Sequence, residues 1–280
     1  MGQRPQQLNG RDREDDSAVC PACGLPRPAR SRAERRHYRC SRCKSLVTWD
    51  WPSESGLAAL YADAWGQQDG ASFATGATRP ELAFQLVQLA RTSVRGIRCL
   101  DFGAGRGELA RELARQGADC VAVEPFGPNP RVPGVRWLDS LSKATQLAPY
   151  ELLYAIEVIE HHPDPVQCLR ELALQMADGS LLVVTTPNAL GLNSRLRGSR
   201  WREAQNRTHL CLFSPEGLQN CAERAGLVVK YRATTPVHFG SQGPRRWLQR
   251  ILQSLRLDGS LRLVFGLSES VAGRHSERSM

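Results

Sequence analysis

An apolar run from Ile97 to Phe102 ends in three glycines at alternate positions, Gly103, Gly105 and Gly107, and helix-like sequence follows at once. That is the layout of a β-strand entering a tight turn and then the first turn of a helix. Glycines there let the chain take conformations closed to other residues and leave bare backbone for a ligand to lie against. The helix end adds N–H groups without intrahelical partners. Alone, such a turn is a weak signal, because dinucleotide-binding folds use a related one.

The surrounding pattern constrains the fold further. Glu81–Arg91 has helical periodicity, Gly107–Gln116 reads as a helix, and Asp119–Glu124 (DCVAVE) as a second strand. Val135–Leu138, Glu151–Ile156 and Ser180–Thr186 follow as strands, with a helix over Pro163–Met176 between the last two. Leu218–Ala225 then reads as a helix ending at Gly226, and Leu227–Thr234 and Leu261–Leu267 as strands. Strands separated by helices predict an α/β fold with a mostly parallel sheet covered on both faces. Pro244–Arg256 has one apolar helical face (Trp247, Leu248, Ile251, Leu252, Leu255) with arginines largely elsewhere. It is read as packing on its own domain, with peripheral membrane contact as the alternative.

The formal charge is +9 in 280 residues, and its placement matters more than its size. Residues 61–235 are nearly neutral, with 19 Lys and Arg against 18 Asp and Glu, so the excess sits at the two ends. Basic ends can meet nucleic acid, anionic glycans or membrane surfaces. No apolar run reaches the roughly 20 residues of a membrane helix. The polar stretch Met1–Ser17 lacks the apolar core of a secretory signal. With nine cysteines, an odd number, this predicts reduced thiols and a cytoplasmic protein. The expected organisation is a tail over 1–17, a cysteine module over 18–50, a connector over 51–78, the α/β domain over 79–268 and a tail over 269–280.

In order along the chain stand DFGAGRG (101–107), acidic Glu124 closing the second strand, YELL (150–153), EVIEHHPDP (157–165), DGSLLVVTTPN (178–188) and HLCLFS (209–214). This series resembles the class I S-adenosylmethionine-dependent methyltransferases over about residues 78–268, and the ubiquinone-pathway and glycan-modifying enzymes in particular. The resemblance implies a Rossmann-like sheet of seven strands with the last antiparallel, and S-adenosylmethionine as donor. It also implies that Gly103, Ala104, Gly105 and Gly107 pass close to the cofactor's methionine part, with Asp101 organising that turn. Glu124, at the end of the next strand, has the place of a carboxylate that accepts both ribose hydroxyls. Trp137, Leu138 and Asp139 are the candidates beside adenine.

Methyl transfer is an in-line displacement, in which an enzyme aligns the partners and excludes water. A hydroxyl acceptor also needs its proton removed. Glu157, Glu160 and His161 follow the fourth strand, at the carboxyl edge where open α/β sheets bind ligands, and His161 is the candidate general base. In metal-free relatives Glu157 helps shape the cofactor pocket, so the resemblance implies a cofactor-binding place for it, whereas ExxEH supplies divalent-metal ligands in some relatives, with a later histidine added in the small-RNA enzymes. His209 has a similar later place here, so an active-site metal is a second reading. Residues 188–209 hold five arginines and a tryptophan, which suggests a lid for an anionic or sugar-bearing acceptor. Arg195, Arg200, Trp201, Arg207 and His209 are its candidate substrate residues. The acceptor expected is a small molecule, a saccharide or a lipid-linked group, and the reaction O-methylation, with N- or C-methylation, or a non-catalytic binding protein that keeps the fold, as alternatives.

Cys20-Pro21-Ala22-Cys23 and Cys40-Ser41-Arg42-Cys43 form two CxxC pairs with sixteen residues between them. Each fits a knuckle that presents two thiolates, and the gap fits a short hairpin. Together they predict a zinc ribbon, a closed, structural zinc site with four cysteine ligands. Seven arginines surround it, so RNA is the alternative partner, set against a role in capping the active site or supporting a dimer. The other five cysteines are read as small core residues.

Overall fold

A computed structural model of the chain describes residues 19–29, 36–49, 51–52, 80–127, 130–233 and 257–269, with single positions at 56, 59–60, 251–252 and 254–255. The expected N-terminal tail, most of the connector, most of the helix expected over Pro244–Arg256 and the C-terminal tail past 269 lie outside these residues.

Strands β1 (His37–Arg39) and β2 (Leu46–Thr48) form a hairpin. Helix α1 (Pro80–Val87) leads to β3 (Arg98–Phe102), α2 (Glu108–Arg115), β4 (Asp119–Val123) and β5 (Val135–Leu138). Next come α3 (Leu141–Thr145), β6 (Tyr150–Ile156), α4 (Pro165–Ala173) and β7 (Met176–Pro187). Short helices α5 (Leu192–Arg197) and α6 (Arg202–Gln205) precede β8 (Cys211–Leu212) and α7 (Pro215–Arg224). The described chain ends with β9 (Leu227–Arg232) and β10 (Ser260–Leu267).

Seven strands form the main sheet in the order β5-β4-β3-β6-β7-β10-β9. β3 to β7 are parallel, while β10 runs antiparallel to both of its neighbours. This is the seven-stranded α/β sheet expected. Because β4 and β5 lie on one side of β3 and β6 and β7 on the other, the strand order reverses between β3 and β6. Ligands of such sheets bind at that reversal, beyond the carboxyl ends of the strands.

Side chains alternate across the pleat. Leu100 and Phe102 of β3 enter one buried layer, with Leu153, Leu182 and Phe265, while Cys99 enters the other with Leu113, Tyr154 and Val183. Two caps set helix starts: Asp164 accepts from the Gln167 N–H (2.9 Å) and Ser214 from the Gly217 N–H (2.9 Å), each followed by proline. The five scattered cysteines, Cys99, Cys120, Cys168, Cys211 and Cys221, are buried, and burial raises every one of their thiol pKa values.

β8 belongs to a second sheet, β1-β2-β8, in which the cysteine hairpin is continued by a strand of the large domain. Tyr38, Val47 and three of the four module cysteines share one apolar layer with Cys211, Phe213 and Leu218. Ser45 fits so closely that a Cβ on Gly217 would lie 2.0 Å from its Oγ. The module's apolar residues therefore use the core of the large domain, which supplies what thirty residues cannot bury alone.

Candidate active site and cysteine centre

At the end of β3, Asp101 is buried, and its Oδ2 has no hydrogen-bond partner among the described residues. Burial pushes its pKa up to about 7, against the opposing pull of the Ala110 backbone. Gly103, Gly105 and Gly107 all have positive φ, at 73°, 56° and 77°. Their neighbours differ. A Cβ on Gly103 would lie 2.4 Å from a Val158 methyl, and one on Gly107 would press on Val132 and Trp137. A Cβ on Gly105 would meet nothing within 4 Å among the described residues. So Gly103 and Gly107 are required by packing, whereas among the described residues Gly105 faces open space.

Glu124 follows β4, and its carboxylate is fixed by three backbone donors. Oε2 accepts from Gly105 (2.9 Å), and Oε1 from Phe126 (3.0 Å) and Gly127 (3.2 Å). It thus joins the glycine turn to the end of the next strand. Asp139, past β5, is exposed and paired with Lys143 at 2.7 Å. Ala104 is buried under the turn.

Past β6, Glu157 has a left-handed backbone (φ 54°), an uncommon conformation for a residue with a Cβ and one that concentrates at functional sites. Its Oε1 accepts from Thr185 Oγ1 (3.0 Å) and Ser260 Oγ (3.4 Å), and burial raises its pKa to about 7. Glu160 is fully buried. Its Oε2 accepts from Thr186 Oγ1 (2.9 Å), and its Oε1 has no hydrogen-bond partner among the described residues. Burial, with Glu157 beside it, holds its carboxyl pKa well above the usual range.

His161 donates from Nδ1 to the Thr208 carbonyl at 3.0 Å, which places its lone pair on Nε2, 4.0 Å from Glu160 Oε1. Burial, helped by His209, pushes its pKa down to about 3, so the ring is neutral. His209 packs edge-on against it, 4.5 Å between centroids, and donates from Nδ1 to the Glu203 carbonyl (2.9 Å). Its Nε2 accepts from Asn206 Nδ2 (3.1 Å), and burial holds it near 4. Donor atoms of Glu160, His161 and His209 all lie within 4.8 Å of one another.

Of the other expected substrate residues, Arg195, Arg200 and Arg207 are exposed. Trp201 is not a surface platform: it is 6% exposed and packs with Ala189, Ala204, Leu212 and Leu46. The sequence pattern singled out Asn206 only as part of the 188–209 lid and missed Thr185, Thr186, Ser260 and Thr208; together these five orient the acids and imidazoles. The two threonines lie in an apolar strand, where inward hydroxyls facing ExxEH were the available signal. Ser260 comes from the last strand and had none.

In the cysteine module, Sγ of Cys20 and Cys43 are 3.7 Å apart and those of Cys23 and Cys40 3.6 Å. Four thiolates at about 2.3 Å around one tetrahedral ion stand about 3.8 Å from each other. The separations and the all-sulfur donor set therefore fit zinc. Both knuckles share one backbone pattern: Gly24 N–H donates to Cys20 O (2.8 Å) and Lys44 N–H to Cys40 O (3.0 Å), with Gly24 and Lys44 left-handed.

A family model described as a methyltransferase domain matches residues 76–231. The ubiquinone biosynthesis O-methyltransferase of Xylella fastidiosa (strain M23) is 33% identical over 110 residues, 35% of this chain and 45% of that protein. The enzyme of the same name from Xanthomonas oryzae pv. oryzae (strain PXO99A) is 28% identical over 152 residues, 49% and 61%. The chain thus spans about half the length of the curated relatives it matches. Among solved structures, the Burkholderia thailandensis 1,6-didemethyltoxoflavin-N1-methyltransferase with bound S-adenosylhomocysteine has the same fold. Its TM-score is 0.55 at 15% identity, covering 83% of this chain and 99% of that one. A chain from the complex of the Haloferax volcanii Trm112 methyltransferase activator gives 0.54 at 17%, covering 76% and 98%.

Proposed function

Since this chain belongs to the class I S-adenosylmethionine-dependent methyltransferase family, we propose that it methylates a hydroxyl of a small-molecule, saccharide or lipid-linked acceptor, with His161 as the base. The observation that carries the reading is the face of Gly105, open among the described residues and bonded to Glu124, on one side of the β3/β6 reversal, with the neutral imidazole of His161 on the other. The O-methyltransferase relatives favour an oxygen acceptor.

Bound S-adenosylmethionine supplies a methyl group on a positively charged sulfonium. Glu124, pinned by three N–H groups, is pre-set to receive the ribose hydroxyls without reorganising. Asp101 offers an unpaired, buried oxygen to the cofactor's ammonium group, and a cation there would lower the carboxyl pKa and favour the ionised form. Asp139 completes the adenine side. His161 Nε2 takes the acceptor proton while Nδ1–H stays on Thr208, and Glu160 stands beside the charge that forms. Arg195, Arg200 and Arg207 are exposed where an anionic or sugar-bearing acceptor would enter.

Zinc in the cysteine centre is structural in this reading, and reduced thiols suit a cytoplasmic protein. A role for the head in gripping RNA has less support, because the four of its arginines that lie among the described residues are engaged elsewhere. Arg36, Arg39 and Arg42 donate to backbone carbonyls, and Arg27 lies over the Trp51 ring at 5.4 Å.

One observation favours a second reading of the acceptor side. Among the described residues Glu160 Oε1 lacks a hydrogen-bond partner next to two neutral imidazoles, and a divalent ion there, taking His209 Nε2 in place of its bond from Asn206, would lower an acceptor hydroxyl's pKa. Metal analysis separates the two readings: one ion per chain leaves His161 as base, and two assign the second to Glu160, His161 and His209. The methyltransferase reading itself is tested by labelled-methyl transfer from S-adenosylmethionine across phenols, saccharides and RNA. Label in a phenol or saccharide supports it, and label confined to RNA overturns the acceptor class.

A further inference from the structure

Arg36 lies outside the catalytic edge, before the first strand of the cysteine hairpin. Its guanidinium nevertheless donates to the carbonyls of Gln205 (3.3 Å), Asn206 (2.6 Å) and Arg207 (2.6 Å). These residues run directly into Thr208 and His209. Asn206 extends the connection: its Oδ1 accepts from the Thr208 N–H (3.0 Å) and Oγ1 (2.8 Å), and its Nδ2 donates to His209 Nε2. Thr208 then accepts the Nδ1–H of His161. One turn of chain therefore orients both imidazoles, and an arginine of the cysteine head grips it.

The rest of the head fixes the chain just after that turn. Thr48 N–H donates to the Leu210 carbonyl (2.9 Å), and β2 pairs with β8. Ser214 Oγ donates to the Cys43 carbonyl, and Ser214 N–H to Ser45 Oγ (3.1 Å). Cys40 directly follows β1 and Cys43 shortly precedes β2, so an ion drawing the four thiolates together also sets both inner ends of the hairpin that carries Arg36. A guanidinium over carbonyls at a helix end is an ordinary cap. Its destination gives this one further consequence. A neutral imidazole has two tautomers, and the partner of one nitrogen decides which is present. Only the Nδ1–H form leaves Nε2 able to take a proton.

We propose that the cysteine head is a positioning device for the catalytic edge. Arg36 is its positioning residue: it holds the 205–209 turn so that the Thr208 carbonyl keeps His161 in the Nδ1–H form. This rests on the reading of His161 as the base.

The test uses the full chain with its cysteines intact, as wild type, Arg36→Ala and Arg36→Lys. Nitrogen-15 spectra of the histidine rings, assigned with His161→Gln, report the tautomer. Hydrogen exchange reports the turn, and calorimetric titration with S-adenosylmethionine reports the donor side. In Arg36→Ala, His161 is expected to change from a single Nδ1–H pattern to a mixed one. Protection of the amides from Thr208 to Leu212 should fall about tenfold, with cofactor affinity changed less than about twofold. Arg36→Lys, which keeps the charge and three donors, should recover part of that protection. An unchanged His161 pattern in Arg36→Ala overturns the proposal. Protection lost evenly over β3, β6 and β7 also overturns it, since that is general destabilisation. A wild-type protein that takes up no S-adenosylmethionine instead removes the reading on which the proposal rests, and the titration shows this independently of the ring spectra.

Discussion

On the proposed donor side, Asp101, Gly103, Gly105 and Glu124 all come from one strand–helix–strand unit, β3-α2-β4, and the Gly105–Glu124 contact is local. On the proposed acceptor side, His161, Asn206, Thr208, His209 and Arg36 come from three separate segments, and Arg36 reaches a carbonyl 171 positions away. A site made within one supersecondary unit forms whenever that unit does. A site assembled across the chain depends on whatever holds the segments together, and here that includes the cysteine head. The two sides should therefore fail separately.

The largest separation is expected on removing the zinc proposed for the four cysteines. Chelation, or Cys43→Ser, leaves buried thiols without their common partner, and site formation and folding are linked in such modules. The thermal midpoint should fall by about 10 °C, and the amides of β1, β2 and β8 should lose protection. S-adenosylmethionine affinity should change only by about threefold or less, because β3 and β4 lie in the other sheet. An unchanged midpoint with β8 still protected would show that the head holds no structural ion.

The glycine turn gives the next contrast, inside the donor side itself. Gly103→Ala sets a methyl against Val158 at 2.4 Å in a left-handed conformation, so about 2–3 kcal/mol of stability should be lost. Gly105→Ala has the left-handed cost alone, about 1 kcal/mol, since no described residue lies within 4 Å of its Cβ. Yet it fills the open face, and affinity for S-adenosylmethionine should drop about 30-fold or more. Equal affinity in wild type and Gly105→Ala would move the cofactor away from the turn.

Asp101 allows a smaller and more specific test by pH. Its folded-state pKa is about 7, raised by burial from about 4 in an unfolded chain. The folded protein thus binds this proton more tightly. Stability without cofactor should fall as pH rises from about 4 to about 7, and this part of the slope should vanish in Asp101→Asn. Cofactor affinity should run the opposite way, rising across the same window, because an ammonium group is held by the ionised carboxylate. A pH-independent affinity in the wild type would remove Asp101 from that role.

How much of the molecule is legible in its sequence follows the same division. β5 spans Val135–Leu138 as its pattern indicates, and β3, β4, β6 and the antiparallel β10 lie where their apolar runs stand. Each is long enough for periodicity to act as a signal. β8 has two residues and exists because β2 pairs with it, so no local pattern announces it. Trp201 sits among arginines and reads as a surface ring. It is buried because Leu46, Ala189, Ala204 and Leu212, from separate segments, meet around it. His161 stands out by its motif, but its tautomer depends on Thr208, and the turn carrying Thr208 on Arg36. Those are long-range contacts, and a one-dimensional pattern does not contain them.

The smallest effect is expected at Asp139, where the donor side reaches its outer edge. Its carboxylate is exposed and held by Lys143, which keeps its pKa below the ordinary carboxylate range. Any hydrogen bond to an adenine amino group must compete there with water and with the lysine. Asp101 and Glu124 work under the opposite conditions, buried and aimed by the backbone. Asp139→Ala should therefore weaken S-adenosylmethionine binding about threefold or less, with Lys143→Ala changing it less still. A tenfold or greater loss in Asp139→Ala would mean that the bound cofactor covers this edge and shuts out water. The donor side would then extend over β3, β4 and β5, and the contrast with the long-range acceptor side would rest on three neighbouring strands in place of two.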